Sequence, residues 1–229
     1  MDGPGSHRVR RIEAKKLADD VFQLALMPRA GMNAYLLGDV LVDAGMPASG
    51  RSIVKALSGR AVTTHVLTHA HGDHAGGSRK VSQALRLPVW CGTADAEAAR
   101  TGKPVAASRL QALFGWKPVE VARELREGDA VGPGFVVLDT PGHSPGHISL
   151  WRESDRTLVC GDVFLNINLI TTAPGLAEPP KIFTVDPPRN RESARRLAEL
   201  EPALTLFGHG QALRDPAKLT AFAKALAQP

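Results

Sequence analysis

The sequence, 229 residues long, predicts a single domain of the α/β class. Short apolar runs typical of buried strands alternate along the chain with amphipathic segments typical of helices. Several apolar runs are followed by glycine, histidine or aspartate, as expected where strand ends carry functional side chains. Hydrophobic residues make up 43% of the chain and charged residues 22%, so the chain can bury a large core.

Strands and helices are predicted in a regular order. The predicted strands cover residues 21–26, 33–37, 40–43, 62–67, 88–91, 135–138, 148–151, 158–161 and 203–206. The predicted helices cover residues 49–57, 77–85, 94–100, 189–200 and 216–226. The first three strands follow one another closely, which favours an antiparallel meander at the start of the domain.

Two connections lack periodicity and are rich in proline and glycine, namely residues 101–118 and 163–188. Long irregular connections in compact domains usually serve function. We therefore expect these two segments to form the wall of a substrate pocket, with Trp116, Phe164 and Phe183 as the aromatic side chains that shape it.

The densest group of chemically active side chains directly follows the strand at residues 62–67. His69, His71, Asp73 and His74 fall within six residues of one another. Neutral imidazole and carboxylate are ligand types that suit zinc and neighbouring transition metals. A solvated histidine-rich turn is the alternative, but such crowding costs repulsion and desolvation unless a metal offsets it. The segment predicts a metal site.

Three further strand ends carry side chains of the same kind. His143 follows the strand at 135–138, Asp162 follows the strand at 158–161, and His209 follows the strand at 203–206. Each of these residues comes directly after a glycine, which can let the backbone approach a site closely. The four strand ends could therefore deliver seven ligand-type side chains to one edge of the fold.

Taken in order, the patterns H-x-H-x-D-H, T-P-G-H-S-P-G-H, G-D and G-H-G resemble the metallo-β-lactamase superfamily of metal-dependent hydrolases, and its glyoxalase II-like members in particular. The matching motifs extend from Asp43 to His209, which is most of the chain. The resemblance implies a four-layer αββα sandwich of two mixed β-sheets flanked by helices. It also implies two divalent metal ions at one edge of the sheets.

The resemblance further implies a role for each ligand. His69, His71 and His143 would hold the first metal, Asp73, His74 and His209 the second, and Asp162 would bridge the two. Asp43 would orient one of the ligands from behind. The resemblance favours zinc as the metal, with iron or manganese as alternatives.

A hydrolase of this kind would use a hydroxide that bridges the metals to attack a carbonyl carbon of an ester, thioester, lactone or amide. Asp73 is the expected catalytic residue, because it would handle the proton. β-Lactamases of the fold generally place cysteine or serine where Asp162 stands, which disfavours that activity. Lactonases of the fold often use a tyrosine, and Tyr35 is the only one in the chain. A tRNase Z-like phosphodiesterase and a single-iron persulfide dioxygenase are the alternative functions.

The remaining expectations concern organisation and partners. Residues 1–15 are expected to be a flexible N-terminal segment, and residues 16–229 a single metallo-β-lactamase-like domain. No secretory leader or membrane-spanning run is recognisable, so we expect a cytoplasmic protein that acts on a small-molecule substrate. Much of the net charge of +5 comes from residues 8–16 and 189–196, and Arg195 and Arg196 lie on a predicted amphipathic helix whose charged face is expected to be solvated, which disfavours nucleic acid as a partner. Monomer and homodimer are equally compatible with the sequence.

Overall fold

The computed structural model of this chain describes residues 12–226. Its strands are β1 (Ala14–Ala18), β2 (Val21–Ala25), β3 (Asn33–Leu37), β4 (Val40–Val42), β5 (Thr64–Leu67), β6 (Val89–Gly92), β7 (Arg123–Leu125), β8 (Ala130–Val131), β9 (Phe135–Asp139), β10 (Ile148–Arg152), β11 (Thr157–Gly161), β12 (Leu165–Ile167), β13 (Pro174–Ala177) and β14 (Leu204–Phe207). Its helices are α1 (Ser49–Ala56), α2 (Gly72–Ala75), α3 (Ser78–Leu85), α4 (Ala96–Thr101), α5 (Pro187–Glu199) and α6 (Pro216–Ala225).

The strands form two large mixed sheets and one small hairpin. The first sheet has the order β1-β2-β3-β4-β5-β6-β7, and the second has the order β14-β11-β10-β9-β8. In the first sheet, β4, β5, β6 and β7 run parallel, and β2 to β4 form the antiparallel meander that the sequence predicts. The strand β1, which was not predicted, extends this meander at the edge of the sheet. The hairpin β12-β13 stands apart from both sheets.

Three apolar clusters separate four layers. The central cluster joins the inner faces of the two sheets, with Val42 and Val66 on one side and Val137 and Leu150 on the other. A second cluster packs the first sheet against α1 and α3, and a third packs the second sheet against α5 and α6. Burial of apolar surface in these clusters is the main favourable contribution to folding. The predicted αββα sandwich is confirmed.

The strand directions bring the predicted ligands to one edge. In the second sheet, β9 and β11 are both antiparallel to β10, and β14 is parallel to β11, so these three strands end on the same side. In the first sheet, β4, β5 and β6 also share one direction. A backbone hydrogen bond of 2.8 Å from Ile148 to the Thr68 carbonyl joins the two sheets at this edge.

The structure corrects the predicted boundary of the domain. Of the segment expected to be flexible, residues 1–11 lie outside the described residues. Within residues 12–15, however, Ile12 is buried and Ala14 pairs with Leu24 in the first sheet, because both side chains pack into the apolar cluster between that sheet and α1 and α3. The irregular segment 163–188 also contains the hairpin β12-β13 and a 3₁₀ turn at Lys181–Phe183, which the sequence pattern did not indicate. Among the described residues, no helix is long and apolar enough to cross a membrane.

Candidate metal centre

The seven side chains predicted as metal ligands meet at one edge of the sandwich. His69, His71 and His143 place one possible ligand atom each within 4.8 Å of one another. Asp73, His74 and His209 do the same, and Asp162 forms a third such group with His69 and His74. The two triads are the two ligand sets expected from the sequence, and six of these side chains are buried while Asp73 is half-buried.

The first four of these residues lie on the turn that leaves β5. Thr68 to His71 form a tight loop, and His71 directly precedes the one-turn helix α2, which carries Asp73 and His74. A strand end followed at once by a helical turn aims side chains of neighbouring residues toward one point. The spacing H-x-H-x-D-H is therefore the consequence of a strand, a short loop and a helical turn in succession.

Asp162 occupies the centre of the cluster. Its Oδ2 atom lies 3.2 Å from Nε2 of His209 and 3.6 Å from Nε2 of His143, so it touches both triads. Two glycines make this placement possible. Gly161 has a φ of +52°, which turns the chain at the end of β11. A Cβ atom on Gly208 would lie 2.1 Å from Oδ1 of Asp162, so only glycine fits there.

In four of the histidine rings, Nδ1 points away from the cluster and forms a hydrogen bond that determines the tautomer of the ring. Nδ1 of His74 donates to Asp43 at 2.8 Å, and Nδ1 of His209 donates to the Gly31 carbonyl at 2.6 Å. Nδ1 of His69 and of His143 lie 3.0 Å and 3.2 Å from threonine hydroxyls that themselves donate elsewhere. Each ring therefore turns the lone pair of Nε2 toward the cluster, as in histidines that bind a metal.

Two of these inward atoms have no hydrogen-bond partner in the described part of the protein. Nε2 of His69 and Oδ1 of Asp162 are buried and form no hydrogen bond. Nε2 of His74 and Nε2 of His209 face one another at 3.3 Å, and in the tautomers set by Asp43 and Gly31 both would be acceptors unless a proton or a cation lies between them. Buried acceptors without donors are costly, and a cation between them removes that cost. The residues present thus fit divalent metal ions.

The electrostatics of the cluster divide it into two parts. Burial lowers the pKa of His69 and of His143, and neighbouring histidines lower it further, so both rings are neutral. Burial also opposes protonation of His209, but the charge of Asp162 and the hydrogen bonds that His209 donates to Asp162 and Asp73 outweigh it and raise its pKa to about 10. Burial would raise the pKa of Asp162, yet His209 and His74 hold it well below the ordinary value, so this carboxylate is ionised.

Asp43 lies behind the cluster as expected. It follows β4 with a φ of +60°, a conformation that aspartate tolerates better than most side chains. Its Oδ2 accepts hydrogen bonds from Nδ1 of His74 and from the Thr68 hydroxyl, both at 2.8 Å, and its Oδ1 accepts one from the Thr68 amide. Asp43 therefore orients His74 and also fixes the start of the loop that carries His69.

Asp95 is an organising residue that was not predicted from the sequence. It lies in a 3₁₀ turn directly after β6 and is buried. Its Oδ2 accepts hydrogen bonds from the Ala70 amide at 2.8 Å and the Ser144 hydroxyl at 2.6 Å, and its Oδ1 accepts one from the Gly146 amide at 2.7 Å. It thus joins the loop of His69 and His71 to the loop of His143. The available signal was its position just after a glycine-ended strand, as for Asp162.

Gln111 is the second residue that was not predicted, and it comes from the irregular segment 101–118. Its side-chain amide lies 2.8 Å from Nε2 of His71, so Nδ1 is the nitrogen of that ring left to face the cluster. The same side chain contacts the Ala107 amide at 2.6 Å and the Phe183 carbonyl at 3.3 Å. Nothing in the sequence around Gln111 distinguished it from other polar loop residues.

Three histidines were not predicted as ligands; His7 lies outside the described residues, and His65 and His147 have structural roles. Nε2 of His147 accepts the backbone N–H of Asp162 at 3.0 Å, and its Nδ1 bonds to the Thr140 hydroxyl at 2.8 Å. Burial lowers the pKa of His147 to about 3, which keeps this acceptor neutral. His65 bonds to the Leu41 carbonyl and the Ser78 hydroxyl, on the far side of β5 from the cluster.

A cavity of about 330 Å³ opens onto the cluster, and the predicted pocket residues relate to it differently. Phe183 lines it. Trp116 is buried among α4 and the end of β6 and lies behind the cavity wall rather than on it. The expectation for Phe164 is corrected, because its ring is fully buried between the second sheet and α6, where it contacts Phe222. Tyr35 is also in the core and donates to the Phe207 carbonyl at 2.7 Å.

Comparison with known proteins agrees with this architecture. A family profile described as the metallo-beta-lactamase superfamily matches residues 29–209. The chain is 32% identical over 197 residues to the "probable metallo-hydrolase YflN" of Bacillus subtilis, with 75% of each chain covered. It is 28% identical over 210 residues to an N-acyl homoserine lactonase of Bacillus thuringiensis, with 76% of this chain and 79% of the lactonase covered.

Solved structures give the same result for the fold. TTHA1623, crystallised in a di-iron-bound form, is 31% identical and superposes with a TM-score of 0.63 over 84% of this chain and 94% of its own. BJP-1, a subclass B3 metallo-beta-lactamase of Bradyrhizobium japonicum, is 20% identical with a TM-score of 0.70 and coverage of 97% and 93%. The second likeness is evidence for the fold alone.

Proposed function

Because this chain belongs to the metallo-β-lactamase superfamily and is a metal-dependent hydrolase, we propose that it is a dinuclear zinc enzyme that hydrolyses a carboxylic ester, thioester, lactone or amide. The proposal assigns His69, His71 and His143 to the first metal and Asp73, His74 and His209 to the second, with Asp162 between them. Iron or manganese would fit the same ligand types.

A single observation carries the proposal, namely the position of Asp162 between two complete triads. Its Oδ2 lies within 3.6 Å of one histidine from each triad, so one carboxylate can serve two ions at once. Two neighbouring divalent metals lower the pKa of water and polarise the oxygen of a bound carbonyl. A protein that binds a single metal needs no second triad and no carboxylate between the triads.

Asp73 is the residue proposed to handle the proton of the attacking water. Its carboxylate is half-buried and lines the cavity, and its Oδ2 lies 3.3 Å from Nε2 of His209. Burial alone would raise its pKa, but the hydrogen bond to His209 and the charge of His74 lower the pKa well below the ordinary value. Asp73 is therefore ionised at neutral pH in the metal-free protein. Its place in the cavity lining, not this lowered pKa, supports the proposal that it takes up the proton of the water and returns it to the leaving group.

The alternatives receive less support from the site. A phosphodiesterase that grips nucleic acid would need cations near the reacting phosphate, and among residues 12–226 the cavity is lined by no lysine or arginine. In a single-iron dioxygenase, only one of the two triads would bind a metal, and the other would have no ligand role. The similarity to a lactonase supports the carbonyl class of substrate, although Tyr35 is turned into the core and is not available to hold a lactone oxygen.

The remaining parts of the proposal concern the surroundings of the enzyme. A cytoplasmic location belongs to the proposal and is supported by Cys91 and Cys160, which are buried and unpaired. The substrate is a small molecule, in keeping with the size of the cavity. Monomer and homodimer are both compatible with the proposed chemistry, because all seven proposed ligands come from one chain.

The test is turnover of a panel of substrates by the metal-free protein reloaded separately with zinc, iron or manganese. The panel contains a thioester, an aryl ester, a lactone, a β-lactam and a phosphodiester. We expect turnover of at least one carbonyl ester class with zinc, and a loss of about 100-fold or more in Asp73→Asn. Turnover of the phosphodiester alone, or oxygen-dependent oxidation of a thiol with iron alone, would overturn the proposal.

A further inference from the structure

The cavity above the metal centre has a polar floor and an apolar wall. Its floor consists of the predicted metal ligands, including Asp73 and His143. The wall is built from methionine, proline, leucine and phenylalanine side chains. Its largest members are Met32, Met46, Phe114, Leu169 and Phe183. A ligand that extends from the floor toward the mouth of the cavity would therefore contact apolar side chains.

The wall offers no partner to a charged group. Within the part of the chain that the structure describes, no lysine or arginine lines the cavity, and its only acids are Asp73 and Asp162 on the floor. Among the described lining residues, Gln111 is the one uncharged polar side chain besides the histidines, and its amide already contacts His71. A carboxylate or ammonium group placed against this wall would lose its hydration without gaining a counterion.

The wall is held in place by contacts between the two irregular segments. The Ser108 hydroxyl donates to the Ile182 carbonyl at 2.8 Å, and the Gln111 amide reaches the Phe183 carbonyl at 3.3 Å. The rings of Phe114 and Phe183 meet edge to face, with centroids 6.4 Å apart. Because these segments are linked to each other and to His71, the apolar wall is formed before any substrate arrives.

Parts of the wall remain open to solvent in spite of their apolar character. Phe114 is 51% exposed, Met46 43% and Leu169 39%. Large apolar side chains clustered at the mouth of a cavity indicate a binding site for the apolar part of a ligand. Their position directly above the floor means that the same molecule can reach the predicted metal ligands with its polar end.

We propose that the substrate is an uncharged acyl compound, whose aliphatic chain lies between Phe114, Phe183 and Leu169 while its carbonyl reaches the floor. This inference rests on the proposed hydrolase function and specifies its substrate class. In the reaction, water adds its oxygen to the acyl carbon, the bond from that carbon to the oxygen, sulfur or nitrogen of the leaving group breaks, and one proton passes to the leaving group. The products are a carboxylic acid and an alcohol, thiol or amine, or a hydroxy acid from a lactone.

The test is a series of thioesters that share one leaving group and differ only in the acyl chain, from acetyl to decanoyl, measured with the zinc-loaded full-length protein. Burying one CH₂ group contributes about 0.8 kcal/mol, so kcat/KM should rise about two- to fourfold for each methylene until the chain reaches the mouth. A chain of equal length that ends in a carboxylate should lose at least about tenfold relative to its methyl-ended counterpart.

Matched variants connect the effect to the wall. In Phe114→Ala, the increase in kcat/KM for each added methylene should fall below about twofold, because the acyl chain of the substrate loses one of its apolar neighbours. Leu113→Ala removes an apolar side chain from the adjacent position, which is 79% exposed and does not line the cavity. This variant should show the same dependence of kcat/KM on chain length as the wild type. Binding of a non-hydrolysable methyl ketone series, measured by calorimetry, should follow the same dependence on chain length.

The outcomes separate this inference from the proposed function. Equal kcat/KM for acetyl and decanoyl thioesters, or equal turnover of the carboxylate-ended chain, would overturn the apolar substrate class and leave the hydrolase function intact. The apolar substrate class would also be overturned if Leu113→Ala changed the series as much as Phe114→Ala. Absence of turnover for every ester, thioester, lactone and amide would instead overturn the proposed function, and binding of the ketone series would then decide the substrate class alone.

Discussion

Nε2 of His74 and Nε2 of His209 lie 3.3 Å apart and face each other across the cluster. The arrangement is imposed from outside the cluster, because Asp43 and the Gly31 carbonyl each hold the proton of the opposite ring nitrogen. Two acceptors at this distance repel unless a proton or a metal ion lies between them. Protons and a metal ion therefore compete for Nε2 of these two histidines.

The first prediction concerns that competition. In the metal-free protein the pKa of His209 is about 10, so the ring is protonated at neutral pH, whereas a metal ligand must be deprotonated. Zinc binding should therefore release protons at neutral pH, and the apparent affinity should rise as the pH increases toward 10. Calorimetric titration of zinc in two buffers with different ionisation enthalpies measures the number released.

The control for proton release is His209→Ala, which removes the ring and should release at least about one proton fewer per chain. Heats that are the same in both buffers for the wild type would contradict the protonation state assigned to the metal-free cluster.

The second prediction concerns Asp95, which accepts three hydrogen bonds from the two loops that carry the first triad. Asp95→Ala leaves three buried donors without an acceptor and should lower the free energy of unfolding by about 2–4 kcal/mol. The affinity for the first metal should fall as well, because the loops of His69 and His143 separate. Urea unfolding and competition with a metal chelator measure the two effects.

Glu97 is the matched control for Asp95, since it lies two residues away and is exposed. Glu97→Ala should change the free energy of unfolding by less than about 0.5 kcal/mol and leave metal affinity as it is. If Asp95→Ala were equally mild, the linking role of Asp95 would be wrong.

The third prediction concerns Gln111, whose amide engages Nε2 of His71. Gln111→Ala should free the ring of His71 to rotate and weaken binding of the first metal about 10- to 100-fold, as is typical when a group that orients a ligand is removed. Gln83→Ala, at an exposed position of α3, serves as the control and should bind metal as the wild type does. Equal affinity in the two variants would show that His71 needs no support from the irregular segment.

The fourth prediction concerns Gly208. A Cβ atom at this position would lie 2.1 Å from Oδ1 of Asp162 and 2.6 Å from the ring of His74, so Gly208→Ala should displace the carboxylate proposed to bridge the metals and reduce the metal content. Gly59→Ala meets no atom within 4 Å, and its positive φ should cost only about 1–2 kcal/mol of stability. Full metal content in Gly208→Ala would mean that Asp162 can move without loss of a metal.

The clustering of the proposed ligands was predictable because these residues follow strands in a recognisable way. His69, His143 and His209 each come a few residues after a buried apolar run, and the shared direction of β9, β11 and β14 brings such ends together. The seven ligand positions thus depend on strand ends, which leave a strong local pattern in the sequence.

The parts that were missed depend on contacts that leave no local pattern. Gln111 reaches His71 from a segment without periodicity, and Asp95 joins two loops that are distant in sequence. Phe164 was placed in the pocket because it belongs to the irregular segment that follows Asp162. The turn at Gly161 and the chain reversal after it send Asp162 to the cluster and Phe164 into the core. Such reversals depend on tertiary packing and not on the order of residue types.

The most direct test of a dinuclear centre is the number of zinc ions bound per chain, measured by elemental analysis after saturation and removal of free metal. We predict about two ions for the wild type and about one for His209→Ala, because the second triad then lacks a ligand while the first is complete. One ion in the wild type, or no difference between the wild type and His209→Ala, would contradict a dinuclear centre bridged by Asp162.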